Sequence, residues 1–307
     1  MSNCAPILRN TLIALGFAGL VCTHAPAQAA APAFSEYVAL GDSWTAGVFT
    51  RLPPATEHTP ADCAQSALNY PHRVAKVLEV AVFRDASCGS ATTVEMTAPQ
   101  ALPLGGVNPP QFDRLTATTD LVTLGIGGND IGFTVAARDC VRPLPEGTGS
   151  AENSCAAKLT AKGVDRLAKN IAATAPAIEE VIAQIRERSP RARILLVDYL
   201  NAFPADAKSC WPLLPALDVD VAYLRAKFIQ MNAMLATVAT DTGVEFVDTY
   251  TPSTGHDVCQ PEPLRYVEGI SVSSVHNKPG VAFPMHPNAR GAAVQAEAVL
   301  NTLRGKA

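Results

Sequence analysis

The residues best suited to chemistry in this chain of 307 residues are a serine at the end of an apolar run, an asparagine in a glycine-rich turn and one of six histidines. Ser43 follows Gly41-Asp42 directly after Tyr37-Val38-Ala39-Leu40. That run reads as a short buried strand, and Gly41 permits a sharp turn that leaves Ser43 just past the strand's carboxyl end. In open parallel sheets, sites form at that end. A serine hydroxyl is a weak nucleophile at neutral pH unless a base within hydrogen-bond reach takes its proton, and histidine has the fitting pKa. The alternative is an Asx-type turn in which Asp42 and Ser43 only satisfy local backbone groups.

Residue type alone leaves the base open. His24 falls in an amino-terminal apolar segment, His58 in a polar loop, His72 on a helix after Pro71, and His256 and His276 in loops. His286 stands before Pro287-Asn288, where Asn288 can cap a final helix carrying Val294, Val299, Leu300 and Leu303. Asn129 closes Gly125-Ile126-Gly127-Gly128-Asn129-Asp130 after the apolar run Leu121–Leu124. Its amide can point at a developing negative oxygen, the alternative being a turn-forming asparagine. The glycines lack dinucleotide spacing and a Gly-Lys-Ser/Thr ending, so no nucleotide loop is expected. Neither Cys-x-x-Cys nor His-x-x-x-His spacing is present, so no metal and no cofactor are expected.

The elements that must position these groups alternate. A helix is expected over Ser66–Leu78, with Tyr70, Val74, Val77 and Leu78 at helical spacing, then a strand over Val80–Phe83. Val164–Arg188 reads as a long covering helix interrupted by Pro176, and Arg193–Tyr199 as a central strand buried on both faces. Leu217–Asp241 returns to helical spacing, Val244–Val247 to a short strand, and Pro261–Pro284 reads as a long loop. Strands alternating with helices predict an α/β fold, a three-layer α/β/α sandwich with a central parallel sheet in a single domain over 33–307.

Arg9, the apolar stretch Leu12–Val21 and Ala27-Gln28-Ala29 read as a secretory signal over 1–29. The apolar run is too short for a bilayer span. A net charge of −4 and the lack of a Lys/Arg stripe argue against nucleic acid and anionic lipid as partners, so no stable membrane anchor is expected. Six cysteines follow the signal: Cys63, Cys88, Cys140, Cys155, Cys210 and Cys259. An even number in an exported chain predicts disulfides, with fifteen possible connectivities.

Four blocks, Gly41-Asp42-Ser43-Trp44-Thr45-Ala46-Gly47, Ser87–Thr93, Gly125–Asp130 and His286–Gly291, make the chain resemble the SGNH hydrolases, also called GDSL esterases and lipases, in particular the secreted actinobacterial-type members. The resemblance covers nearly the whole mature chain. It implies a flavodoxin-like sandwich and a serine esterase or lipase that forms an acyl-enzyme on Ser43 with His286 as general base. It also implies an oxyanion hole from the Ser43 N–H, the Asn129 side chain and an N–H in Cys88-Gly89-Ser90. Resembling sequences have serine-glycine where this chain has Gly89-Ser90, so either residue can be the donor. The family's acid three residues before the histidine is here Phe283; its main-chain carbonyl is the expected orienting group, with Asp257 in reserve. The resemblance implies pairing of Cys63 with Cys88, Cys140 with Cys155 and Cys210 with Cys259. Trp44 either lines the acyl pocket or packs beside the turn. The expected partner is a small-molecule or lipid ester substrate, and the expected assembly a monomer. A binding module that has kept the fold without activity is the alternative, and within the enzyme class a carbohydrate acetylesterase or phospholipase.

Overall fold

Residues 34–142, 151–270 and 282–306 are described in the computed structural model of the protein, so the expected signal sequence lies outside the described residues, as does His276. The strands are β1 (Glu36–Gly41), β2 (Val82–Asp85), β3 (Gln100–Ala101), β4 (Val107–Asn108), β5 (Leu121–Gly125), β6 (Arg193–Val197) and β7 (Glu245–Val247). The helices are α1 (Ser43–Ala46), α2 (Tyr70–Leu78), α3 (Phe133–Cys140), α4 (Cys155–Leu159), α5 (Arg166–Arg188), α6 (Asp218–Thr242) and α7 (Ala289–Leu303).

Five parallel strands form one sheet in the order β2-β1-β5-β6-β7, while β3 and β4 make a small antiparallel hairpin. The central strands β1, β5 and β6 are buried on both faces, and their side chains sort by the two-residue period. Val38 and Leu40 of β1, Val122 and Leu124 of β5, and Ile194 and Leu196 of β6 share one core with Ile178 and Ile182 of α5 and Leu224 and Leu235 of α6. Tyr37 and Ala39, Leu121, and Leu195 and Val197 face the opposite way, onto Val74 of α2 and Val299 of α7. The three-layer sandwich follows. Parallel strands covered by helices on both faces carry continuous apolar runs, which is why β1, β5 and β6 were legible.

Some boundaries differ from the sequence reading. Helix α2 begins at Tyr70, because the Asn69 side chain caps it by accepting from the His72 N–H at 3.1 Å. Its Val77 is exposed, so the buried stripe is Tyr70, Pro71, Val74 and Ala75. Strand β2 starts two residues late, at Val82, where pairing with Glu36 of β1 begins. Helix α5 absorbs Pro176 and is capped by Asp165. The hairpin and the short helices α3 and α4, which carry Cys140 and Cys155, had no periodic signal strong enough to read.

With β1 and β5 adjacent and β2 on the other side of β1, the chain reverses its winding between β1 and β5. A crevice opens at the carboxyl ends of strands at such a switch point. Ser43 follows β1 and Asn129 follows β5.

Candidate active site

Ser43 is the first residue of α1, whose N-cap is Asp42; the Asp42 side chain accepts from the Trp44 N–H at 2.9 Å. The turn is pinned at both ends. The Asp42 N–H donates to the Gly125 carbonyl at 3.0 Å, and the Gln111 side chain brackets Gly41, accepting from its N–H at 2.8 Å and donating to its carbonyl at 2.9 Å. Gly41 is required for closeness: a β-carbon there would collide with the Thr45 hydroxyl and lie 2.5 Å from the Gly125 carbonyl.

The Nε2 of His286 lies 2.8 Å from the Ser43 Oγ, across 243 residues of chain, and its Nδ1 lies 2.8 Å from the carbonyl oxygen of Pro284. A carbonyl only accepts, so Nδ1 carries the proton and Nε2 presents its lone pair to the serine hydroxyl. Burial lowers the imidazole pKa to about 4, against the Pro284 hydrogen bond, which works in the opposite direction. The ring is therefore neutral at pH 7 and able to accept a proton.

The orienting group corrects the expectation for Phe283. Phe283-Pro284-Met285-His286 forms a tight turn in which the His286 N–H donates to the Phe283 carbonyl at 3.1 Å. Proline at the second position and a left-handed Met285, φ 59°, are the signature of a type II turn. The Phe283 carbonyl is thus held by the histidine's main chain, and the Pro284 carbonyl meets its ring. Asp257 is buried and occupied elsewhere, accepting from the Cys259 N–H at 2.9 Å and the Gln260 side chain at 3.3 Å.

Asn129 sits beside the turn after β2, donating from Nδ2 to the Ala91 carbonyl at 3.0 Å. An amide nitrogen carries two protons, so one remains for a substrate oxygen. Asp130 ties the same turns together by accepting from the Thr93 N–H at 3.0 Å and the Thr93 hydroxyl at 2.6 Å. The Gly89 N–H donates to the Cys63 carbonyl at 3.0 Å, which removes Gly89 from contention as an oxyanion donor. Ser90 adopts φ 65°, the left-handed conformation that favours glycine. Neither Gly89 nor Ser90 lines the cavity that holds Ser43, Asn129, Phe283 and His286.

That cavity has a volume of about 260 Å³ and a mostly apolar wall. Trp44 lines it and packs against Tyr199 and Phe228, with ring centroids 5.3 and 5.7 Å away; Phe133, Phe203 and Met231 continue the wall. Trp211, by contrast, is half exposed beside the Cys210–Cys259 disulfide. The cysteines pair Cys63–Cys88, Cys140–Cys155 and Cys210–Cys259. The first of these fastens the loop before α2 to the Gly89-Ser90 turn. Asp220 lies near Cys140 and Cys155, but both sulfurs are in the disulfide.

Sequence reasoning missed Gln111, Asp130 and Tyr199. Asp130 lay inside a recognised block; the other two carry no local motif.

The model of the GDSL-like Lipase/Acylhydrolase family matches residues 39–294. "Lipase 2" of Streptomyces coelicolor is 35% identical over 303 residues, covering 97% of this chain and 96% of the relative. Among solved structures, the extracellular lipase of Streptomyces rimosus superposes with a TM-score of 0.64 at 25% identity, covering 89% of this chain and 100% of the other. Phospholipase A1 of Streptomyces albidoflavus gives 0.66 at 24% identity, covering 90% and 100%, and speaks for the fold. The chain belongs to the GDSL-like lipase/acylhydrolase family and, by that membership, is a carboxylic ester hydrolase.

Proposed function

We propose that the chain hydrolyses esters of aliphatic carboxylic acids through an acyl-enzyme on Ser43, with His286 as general base and the Pro284 carbonyl as its orienting group. The observation that carries the reading is the hydrogen-bonded line from Ser43 Oγ through both ring nitrogens of His286 to the Pro284 carbonyl. His286 takes the Ser43 proton as Oγ attacks the ester carbonyl, then returns it to the leaving alcohol; water repeats the cycle on the acyl-enzyme. Charge on the tetrahedral oxygen would be met by the Ser43 N–H, the second Asn129 amide proton and the Ser90 N–H, the last from the neighbouring turn whose Ala91 carbonyl holds Asn129, each such donor being worth about 10²- to 10³-fold. The aromatic cavity next to Ser43 supports an acyl group larger than acetyl, since apolar walls gain by covering methylene groups. The hydrogen-bonded Ser43–His286 pair with Asn129 beside it speaks against a binding module without activity.

We further place the enzyme outside the cell, on the three disulfides and on the similarity to the extracellular lipase of Streptomyces rimosus. Among the described residues no helix is long and apolar enough to cross a membrane. A chromogenic ester series from acetate to palmitate tests the reading, with Ser43→Ala as control. Turnover should peak above acetate, fall by about 10⁴- to 10⁶-fold in Ser43→Ala, and a fluorophosphonate should label Ser43. Full activity in that variant would overturn the nucleophile.

A further inference from the structure

We propose that Tyr199 is a positioning residue for ester hydrolysis, its hydroxyl holding the Ser43 turn and the Asn129 turn in one fixed relation; the inference rests on the roles given above to Ser43 and Asn129. Tyr199 lies just beyond β6, between the two turns in space and in neither of them in sequence. It is buried, and its hydroxyl donates to Asp42 Oδ2 at 2.6 Å while accepting from the Gly128 N–H at 2.8 Å. The Gly128 N–H can only donate, so the phenol oxygen accepts from it and turns its own proton to the Asp42 carboxyl, whose pKa burial raises to about 7. Asp42 precedes Ser43 and Gly128 precedes Asn129, so one phenol bonds to the neighbour of the nucleophile and to the neighbour of the amide donor.

Tyr199 is itself held in place. Its main chain is clipped to α6 by Asn232, which accepts from the Tyr199 N–H at 3.2 Å and donates to the Tyr199 carbonyl at 2.8 Å. Its ring stands edge-on to Trp44. The fit at Gly128 is close: a β-carbon there would come within 3.1 Å of the phenol oxygen and 3.3 Å of the ring carbon that bears it. The Ser43 N–H and the Asn129 amide must converge on one oxygen, and a shift of either turn separates them. Nothing else that joins Asp42 to Gly128 through a single side chain occurs among the described residues.

Tyr199→Phe keeps the ring and removes both hydrogen bonds. Its kcat, divided by the number of sites titrated with a fluorophosphonate, should fall about 10- to 100-fold, the scale expected of a misplacement near 1 Å, while KM stays within about threefold. A residue that only supports the fold would lower the melting temperature and the titrated fraction, and leave kcat per titrated site unchanged. That outcome overturns the proposal. Should Tyr199→Phe fail to fold, Gly128→Ala reads the same relation by pushing on the phenol oxygen; a kcat loss of similar size is expected, and an unchanged kcat overturns it. A wild-type chain that turns over no ester would bring down the hydrolase reading itself, whereas an active wild type beside an unaffected Tyr199→Phe removes only the role of Tyr199.

Discussion

The Nδ1 of His286 lies 2.8 Å from the main-chain carbonyl of Pro284, two residues earlier in the same turn. The group that holds the ring of the proposed base is therefore part of the backbone that delivers it. A side-chain carboxylate would stabilise the imidazolium formed during reaction by full charge, where a carbonyl offers only a dipole. The compensation is local: the turn that places the ring also fixes its tautomer.

The dyad arrangement makes Asp257→Asn nearly silent. Asp257 serves the Cys259 N–H and the Gln260 side chain, whereas the Nδ1 of His286 meets the Pro284 carbonyl. Its loss should cost less than about tenfold in kcat, whereas His286→Ala should cost nearly as much as Ser43→Ala because nucleophile and base act as a unit. A thousandfold loss in Asp257→Asn at unchanged melting temperature would reveal a displaced triad.

With His286 as the proposed base, its burial should set the acid limit of activity. With its pKa lowered to about 4, the base stays neutral far below the usual histidine range, so the acid limb of kcat/KM should fall near pH 4 and not near 6.5. The same shift enters stability. Below 6.5 the unfolded chain takes up a proton that the folded chain refuses until about pH 4, so this contribution to stability is lost as pH falls through that window. Melting temperatures from pH 7 to 4 should fall more steeply for the wild type than for His286→Gln. Equal slopes would show that His286 is solvated.

Ser90 occupies a left-handed conformation that costs a residue with a side chain about 1 to 2 kcal/mol. Ser90→Gly relieves that cost while adding freedom to the unfolded chain, so a gain of up to about 1 kcal/mol is expected in chemical denaturation. Activity should hold within about threefold if a main-chain N–H is the oxyanion donor, since both residues supply one. A hundredfold loss would mean the Ser90 hydroxyl takes part.

The disulfide Cys63–Cys88 braces the loop that receives the Gly89 N–H. Loop-closure entropy for bridges of 25, 15 and 49 residues' separation amounts to roughly 3 to 4 kcal/mol each. Opening Cys63–Cys88 by a double serine substitution should lower activity as well as stability, because it loosens the Ser90 turn. Opening Cys140–Cys155, on α3 and α4, should act on stability first. Melting curves paired with kcat per titrated site separate the two, and equal activity losses would refute the distinction.

The sequence by itself determined the central strands, the covering helices and the places of Ser43, Asn129 and His286. Apolar periodicity and glycine-bearing turns are local properties, and a sheet buried on both faces writes them as continuous runs. Tertiary structure alone decided which groups each of these residues meets. Whether the Phe283 or the Pro284 carbonyl meets the His286 ring depended on the left-handed backbone at Met285, a conformation no spacing records. That the Gly89 N–H is already taken depended on where the Cys63 carbonyl came to lie. Gln111 on Gly41 and Tyr199 on Asp42 act across 70 and 157 residues, and hydrogen bonds of that reach exist only once the sheet has brought the loops together. A side chain's residue type states what it can donate or accept; only the packed fold supplies the partner.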